Sequence, residues 1–183
     1  MEKPQLNKTT KSTKYAGGLP STMIALLNKH IETEAFSSQI YLQMGAWCDV
    51  QGLTGAAKFF RKHYFEERVH MLKLYDFMAD KNIVPITPAI PAPDKDYVDL
   101  YDVIETALTH EFDITAGYEK DCELALAEPC HQTFELFQWF IKEQVEEEAL
   151  FQTICDKYNI IKKYGITGAA ILEFDDMLAD LAE

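Results

Sequence analysis

Residues 82–96 of this 183-residue chain read NIVPITPAIPAPDKD, with prolines at positions 85, 88, 91 and 93. Proline lacks the N–H that an α-helix requires, and it biases the residue before it toward an extended conformation. The stretch therefore predicts an extended connection rather than a helix. At about 3.3 Å per residue, a connection of this size can run the full length of a helix bundle.

Helical patterns lie on both sides of this connection, because apolar residues recur there every three or four positions. We predict four long helices, which cover residues 21 to about 52, 54 to a point before Pro85, 99–127 and 132–158. Ser21 and Thr54 are the expected N-caps, and Gly52 suits the left-handed conformation that ends a helix. A short fifth helix should follow Gly165 and end near residue 181.

The lengths of the connections determine the topology. The first two helices and the last two long helices are joined by short links, which favour antiparallel neighbours, whereas the long middle connection lets helices two and three run parallel. We therefore predict an all-α fold, a four-helix bundle with one long crossover between helices two and three, plus a short fifth C-terminal helix. The bundle domain would span residues 21–183, after a flexible basic tail at residues 1–20.

The composition is acidic, with 30 Asp plus Glu against 17 Lys plus Arg and a formal net charge of −13. This balance disfavours nucleic acid as a partner, because such binding depends on Lys and Arg at phosphates, and it favours cations. No apolar run is long enough to span a membrane, and the four cysteines form no CxxC pair. Free thiols are typical of a reducing cytoplasm. The basic tail is either a mobile extension or the remnant of a targeting segment.

Polar and acidic residues stand on the apolar faces of all four long helices. Each falls near the middle of its helix, between residues that we expect to be buried. They are Glu34 on the first helix, Glu67 with His70 on the second, Glu111 on the third, and Gln144 with Glu147 on the fourth. Residues three apart share one face of a helix. The bundle can therefore bring all of these side chains to one level.

Four carboxylates that meet in a core would each cost on the order of several kcal/mol if they stayed charged and unpaired. Two divalent cations supply matching positive charge, so the pattern predicts a dinuclear metal site. Carboxylate oxygens with an imidazole and no thiolate suit iron or manganese, and zinc less specifically. Di-iron bundles place a single Glu on each of two helices and a Glu-x-x-His pair on the other two. Here the second pair is altered to Gln144-x-x-Glu147.

Four segments of the chain resemble the helix signatures of bacterial-type non-haem ferritins. They are LNKHIETEAFSSQIYLQM (27–44), GAAKFFRKHYFEERVHM (55–71), LTHEFDIT (108–115) and FELFQWFIKEQVEEEALF (134–151). The resemblance covers about residues 21–181. It implies iron storage, ferroxidase activity with Fe²⁺ and O₂ as substrates, and a homo-oligomer that forms a 24-subunit shell.

The resemblance also implies roles for individual residues. The first iron would be held by Glu34, Glu67 and His70, with Glu67 as the bridge. The second iron would be held by Glu111 and Glu147, with Gln144 adjacent. Tyr41 corresponds to a tyrosine that the family places beside this centre. A third iron site of bacterial members corresponds to Glu66, Glu143 and Glu146 together with Glu147.

Haem binding is not expected. A haem-binding bacterioferritin would carry Met at the position of Arg68 and a second His at the position of Glu147. As a neutral group, Gln144 should hold the second iron loosely and favour its release to a mineral. The alternative is that Gln144 only hydrogen-bonds to bound oxygen or to a ligand carboxylate.

Plainer interpretations stay open for part of this set. The outer acids Glu66, Glu143 and Glu146 could be solvated helix surface, and Tyr41 could be an ordinary core residue. The remaining histidines are expected to be surface or packing residues: His30, His63, His110 and His131. Two other functions also remain open. One is a di-iron enzyme that retains its metal, such as a small oxygenase or a rubrerythrin-like peroxidase, and the other is an acidic helical scaffold without metal.

Overall fold

The computed structural model describes residues 18–93, 96–128 and 130–183. It contains five helices: α1 (Ser21–Val50), α2 (Thr54–Asp80), α3 (Leu100–Ala127), α4 (His131–Tyr164) and α5 (Gly168–Leu181). The predicted all-α fold and order of helices are confirmed. Of the predicted basic tail, residues 1–17 lie outside the described residues, while Leu19 is buried against the bundle. None of the helices in the described residues has the length and apolar character needed to cross a membrane.

The packing follows the predicted topology. Helix α1 packs along α2, α3 packs along α4, and α5 packs against α2. Between α1 and α3, contacts pair early residues of one helix with late residues of the other, as in Thr22 with Glu128 and Tyr41 with Glu111. These two helices are therefore antiparallel. The described residues between α2 and α3 contain no helix, as the prolines of that connection predict.

Two expected helix caps are wrong. Ser21 and Thr54 are the first residues of their helices rather than N-caps, and neither α1 nor α2 has a side-chain cap bond from its N-cap residue. The start of α2 is held instead by Asp175 of α5, whose carboxylate accepts from Gly55 N at 2.9 Å and from Ala56 N at 2.7 Å. A carboxylate at this end of a helix satisfies free N–H groups and complements the helix dipole. The cap comes from a distant helix, so local sequence could not show it.

A glycine is required at this junction. An ideal Cβ on Gly55 would lie 1.9 Å from the backbone oxygen of Asp175, which no side chain can tolerate. Gly52, one turn earlier, has φ of 79° and ends α1, as its sequence position predicts. Helix α4 continues to Tyr164, past its expected end at residue 158, because Ile161 still packs against the core and the chain turns only at Gly165.

The core consists of two apolar clusters. The first apolar cluster includes Tyr41, Phe60 and Phe151, and the second includes Leu27 and Phe137. Along each of the four long helices, residues of one cluster give way to residues of the other. The polar residues that were expected inside fall between the two clusters. They form a belt across the middle of the bundle, which we call the polar belt, and its buried members are Glu34, Glu67, His70, Glu111 and Gln144.

The Asp175 cap can be tested by substitution. Asp175→Ala should destabilise the protein by about 2–3 kcal/mol, because two buried N–H groups lose a charged acceptor. Chemical denaturation of the metal-free protein measures the change. Asp176→Ala removes an exposed carboxylate from the next position of the same helix and should change stability by less than about 0.5 kcal/mol. Equal stability of the two variants would contradict the capping role.

Candidate metal centre

Three side chains of the polar belt form a compact group. Glu34, Glu67 and His70 each offer one ligand atom, and these atoms lie within 4.8 Å of one another. His70 Nδ1 is 3.6 Å from Glu67 Oε2 and 3.9 Å from Glu34 Oε2. All three residues are buried, and Glu67 Oε2 has no hydrogen-bond partner. A buried carboxylate oxygen without a partner is costly, and a cation at this point would remove the cost.

Glu111 lies on the opposite side of the belt and is fully buried. Its Oε2 accepts a hydrogen bond from Gln144 Nε2 at 2.8 Å, and its Oε1 accepts one from the hydroxyl of Tyr41. The amide nitrogen of Gln144 is thus committed to a carboxylate of the belt.

A second compact group lies next to the first. His63, Glu66 and Glu147 again place one ligand atom each within 4.8 Å. His63 Nε2 is 3.4 Å from Glu147 Oε2 and 3.8 Å from Glu66 Oε2. Both His63 Nε2 and Glu147 Oε2 are buried without a hydrogen bond of good geometry.

His63, which the sequence predicts to be a packing or surface residue, is buried and also belongs to this group. Its Nδ1 is committed to the backbone oxygen of Phe59 at 3.0 Å, so Nε2 is the atom that faces the carboxylates. The spacing of four residues before Glu67 is the signal that could have found it, because that spacing also puts both on one face. Glu143 is half-buried and Glu146 is exposed, and within the described residues neither joins a compact group of potential ligands.

Tyr118 is a second residue that sequence reasoning missed. It is fully buried, and its hydroxyl donates to Glu34 Oε1. The signal was present in the sequence, because Tyr118 follows Glu111 by seven positions just as Tyr41 follows Glu34. Burial raises the pKa of Tyr118 well above its usual value, so the hydroxyl keeps its proton and acts as a donor.

The acids of the belt are held in their neutral form. Burial raises the pKa of Glu34 well above its usual value, and the charge of Glu67 raises it further. Burial raises the pKa of Glu67 to about 8, although the contact with Glu34 opposes the shift. Burial also raises the pKa of Glu111 to about 8, against the opposing hydrogen bond from Gln144. Without a cation, the belt therefore stores protons at neutral pH.

In the second group, the pKa shifts favour the charged forms of the side chains. Burial lowers the pKa of His63, but its contacts with Glu147 and Glu66 outweigh that effect and the net pKa is raised. Burial acts to raise the pKa of Glu147, and the contact with His63 outweighs it, so the net pKa is lowered. His63 and Glu147 thus form a charged pair beside a belt of neutral acids.

The residues present suit a hard or borderline metal ion. Carboxylate oxygens and one imidazole nitrogen make up each group, and no thiol belongs to either. Such a set suits iron or manganese. A cleft of about 620 Å³ between α2 and α5 is lined by Glu66 and His70, so both groups border the same opening.

Comparisons with known proteins identify relatives of this chain. A family model described as a ferritin-like domain matches residues 24–161. A probable bacterial non-heme ferritin-like protein of Haemophilus influenzae is 38% identical over 164 residues, which cover 90% of this chain and 98% of that protein. The bacterial non-heme ferritin of Escherichia coli is 35% identical over 147 residues, or 80% of this chain and 89% of that one. The open-pore ferritin of Archaeoglobus fulgidus superimposes with a TM-score of 0.84 and 29% identity, covering 88% of this chain and 98% of that chain.

The stored protons predict how stability depends on pH. Because the pKa of Glu67 is about 8 when folded and near 4.5 when unfolded, the folded state holds a proton that the unfolded state loses between these values. Stability of the metal-free protein should therefore fall as pH rises through this window. Glu67→Gln should remove part of this loss and exceed the wild type by on the order of 1–3 kcal/mol at pH 8, with little difference near pH 4.

Chemical denaturation of the metal-free protein at several pH values measures this dependence. Glu32→Gln, which neutralises an exposed acid of α1, is the matched control and should parallel the wild type at every pH. A Glu67→Gln variant that loses stability with rising pH as steeply as the wild type would refute the stored proton at this position.

Proposed function

The chain belongs to the ferritin family, and from that premise we propose that it stores iron by oxidising Fe²⁺ with O₂ at the polar belt and depositing Fe³⁺ inside a hollow homo-oligomer. The observation that carries the proposal is the set of buried acids Glu34, Glu67 and Glu111, which come from three helices, meet at one level and have raised pKa values, with Gln144 and Glu147 of the fourth helix beside them. Two Fe²⁺ ions would replace the stored protons and match four negative charges. Each Fe²⁺ would then give one electron to O₂, and these two electrons together with two protons would convert O₂ to hydrogen peroxide.

The proposed ligands divide between two iron positions. Glu34, Glu67 and His70 would hold the first iron, since their ligand atoms already form one group. Glu67 would bridge the two irons, and its Oε2, which faces His70 and has no hydrogen-bond partner, would serve the first. Glu111 and Glu147 would hold the second iron beside the amide of Gln144. This second position has fewer preassembled ligand atoms, which suits release of Fe³⁺ after oxidation.

A third iron position is proposed at His63, Glu66 and Glu147. Glu66 lines the same cleft as His70, and Glu147 is shared with the second iron position. Fe³⁺ that leaves the belt could bind here first. The family resemblance adds Glu143 and Glu146 to this site. They would be further acids along the path that Fe³⁺ takes away from it.

The assembly and location are part of the same proposal. A mineral needs an enclosed space, so the chain should form a shell, and the family resemblance suggests 24 subunits. All four cysteines are buried and free, which suits the reducing cytoplasm. No haem is proposed. Gel filtration should show a large assembly, and the size of that assembly tests the subunit count.

Aerobic addition of Fe²⁺ to the metal-free protein tests the function. The wild type should bind many more irons than the roughly two per chain of a dinuclear site, whereas a retained di-iron enzyme stops near that number. If the protein were a scaffold that binds no metal, Fe²⁺ would oxidise no faster with it than in buffer alone.

Glu67→Ala should lose rapid oxidation, because the bridge to both irons is removed while Ala favours the helix. Glu32→Ala is the matched control and should oxidise Fe²⁺ at the wild-type rate. A folded, assembled Glu67→Ala protein with wild-type initial rates would contradict this centre.

The third position has its own test. Glu66→Ala should leave the first fast oxidation near the wild-type rate and slow later additions of Fe²⁺, because Fe³⁺ would lose its first acceptor. Sequential additions followed by stopped-flow absorbance measure both phases. Glu146→Ala removes an exposed acid from a neighbouring position and should have a smaller effect. If Glu66→Ala and the wild type load iron identically through several additions, Glu66 is solvated surface.

A further inference from the structure

Two tyrosines reach into the polar belt from opposite ends of the bundle. Tyr41 belongs to the first apolar cluster and donates to Glu111 Oε1. Tyr118 belongs to the second apolar cluster and donates to Glu34 Oε1. Both tyrosines are fully buried. Each carboxylate is therefore held by a tyrosine from the other helix of the α1–α3 pair.

The two contacts follow from one repeated pattern. On each helix the tyrosine comes seven positions after the glutamate. Seven residues are about two helical turns, so the tyrosine and the glutamate share one face of their helix. Because α1 and α3 are antiparallel, the same register that places Tyr41 opposite Glu111 also places Tyr118 opposite Glu34. The α1–α3 pair is thus symmetric at the centre.

The ring of Tyr118 is fixed on both faces. His30 stacks on it with centroids 4.0 Å apart and a 10° interplanar angle, and Phe140 stacks on it at 4.6 Å and 6°. His30 is held in turn by Asp121, whose Oδ2 lies 3.0 Å from His30 Nε2. Lys29 Nζ lies 3.5 Å from the same oxygen. A ring held in this way can direct its hydroxyl to one position only.

The hydroxyl of Tyr118 gives the two oxygens of Glu34 different roles. Oε1 is taken by Tyr118, while Oε2 faces His70 Nδ1 at 3.9 Å and belongs to the compact group with Glu67. A carboxylate with both oxygens free can bind a metal through either or both. With one oxygen committed, Glu34 presents a single defined ligand atom. Groups that orient a metal ligand in this way contribute strongly to metal affinity.

We propose that Tyr118 is a positioning residue of the metal centre, which holds Glu34 Oε1 so that Oε2 alone binds metal beside Glu67 and His70. On the other side of the belt Tyr41 holds Glu111 Oε1, while Glu111 Oε2 accepts from Gln144. The inference rests on the proposed function, because it concerns the same centre. It adds a residue whose hydroxyl acts on the first iron position through Glu34.

Redox-inert Co²⁺ tests this role without oxidation chemistry. Titration of the metal-free protein, followed by visible absorbance, reports Co²⁺ bound to carboxylate and imidazole ligands. Glu34→Ala and Glu111→Ala identify which absorbance change belongs to which side of the belt. Tyr118→Phe should then weaken the Glu34-dependent site about 10- to 100-fold and leave the Glu111-dependent site within about threefold of the wild type. Tyr41→Phe should show the reverse pattern.

The substitution separates positioning from packing. Tyr118→Phe keeps the ring and its stacks on His30 and Phe140, so a purely structural role predicts unchanged Co²⁺ affinity at both sites. If the tyrosine acts through Glu34, adding Tyr118→Phe to Glu34→Gln should change Co²⁺ affinity no further, because the cycle isolates the pair. Unchanged affinity in Tyr118→Phe, equal weakening of both sites, or additive effects in the double variant would each overturn the proposal.

The test also distinguishes this inference from the proposed function. Wild-type protein that binds Co²⁺ and loads iron, together with an unaffected Tyr118→Phe variant, would leave the function intact and reject the positioning role alone. Wild-type protein that binds no Co²⁺ would reject both, because there would be no centre for Tyr118 to organise.

Discussion

The constraint on which this bundle depends is the burial of carboxylates at one level of its core. Glu34, Glu67 and Glu111 are almost fully excluded from water, yet each comes from a different helix and faces the others. Charged and unpaired, they would oppose folding. The metal-free chain meets the constraint by raising their pKa values and holding protons. Cations can take the place of those protons. The burial that would destabilise the fold if the acids were charged therefore also provides a site for metal.

The surrounding structure is arranged to tolerate this belt. Apolar clusters above and below it supply the hydrophobic stabilisation that the belt cannot supply. Within the belt, Glu34 and Glu111 accept hydrogen bonds from the tyrosine hydroxyls, and Glu111 also accepts one from the amide of Gln144, while Glu67 Oε2 has no partner. These neutral donors fix the carboxylates without adding positive charge that would compete with a cation.

Helix α2 carries the largest share of the two ligand groups, and its first turn is held from outside the four long helices. Asp175 of α5 holds its first turn, and Gly55 allows the two helices to meet there. From that fixed start, His63, Glu67 and His70 project from one side of α2 at helical spacing. Glu66 stands at the edge of the same side, where the cleft between α2 and α5 opens. The short last helix therefore contributes to the geometry of the centre as well as to the fold.

The sequence by itself determined the all-α fold, the crossover and the inward acids. Helical periodicity, a proline-rich connection and charged residues on apolar stripes are local patterns, and they can be recognised without coordinates. The tertiary structure alone decided the contacts between distant helices. It showed that Asp175 caps α2, that His63 joins Glu66 and Glu147, and that Tyr118 reaches Glu34. Periodicity states which face of a helix points inward, but the register between helices decides which atoms meet, and that register is set by packing of the whole bundle.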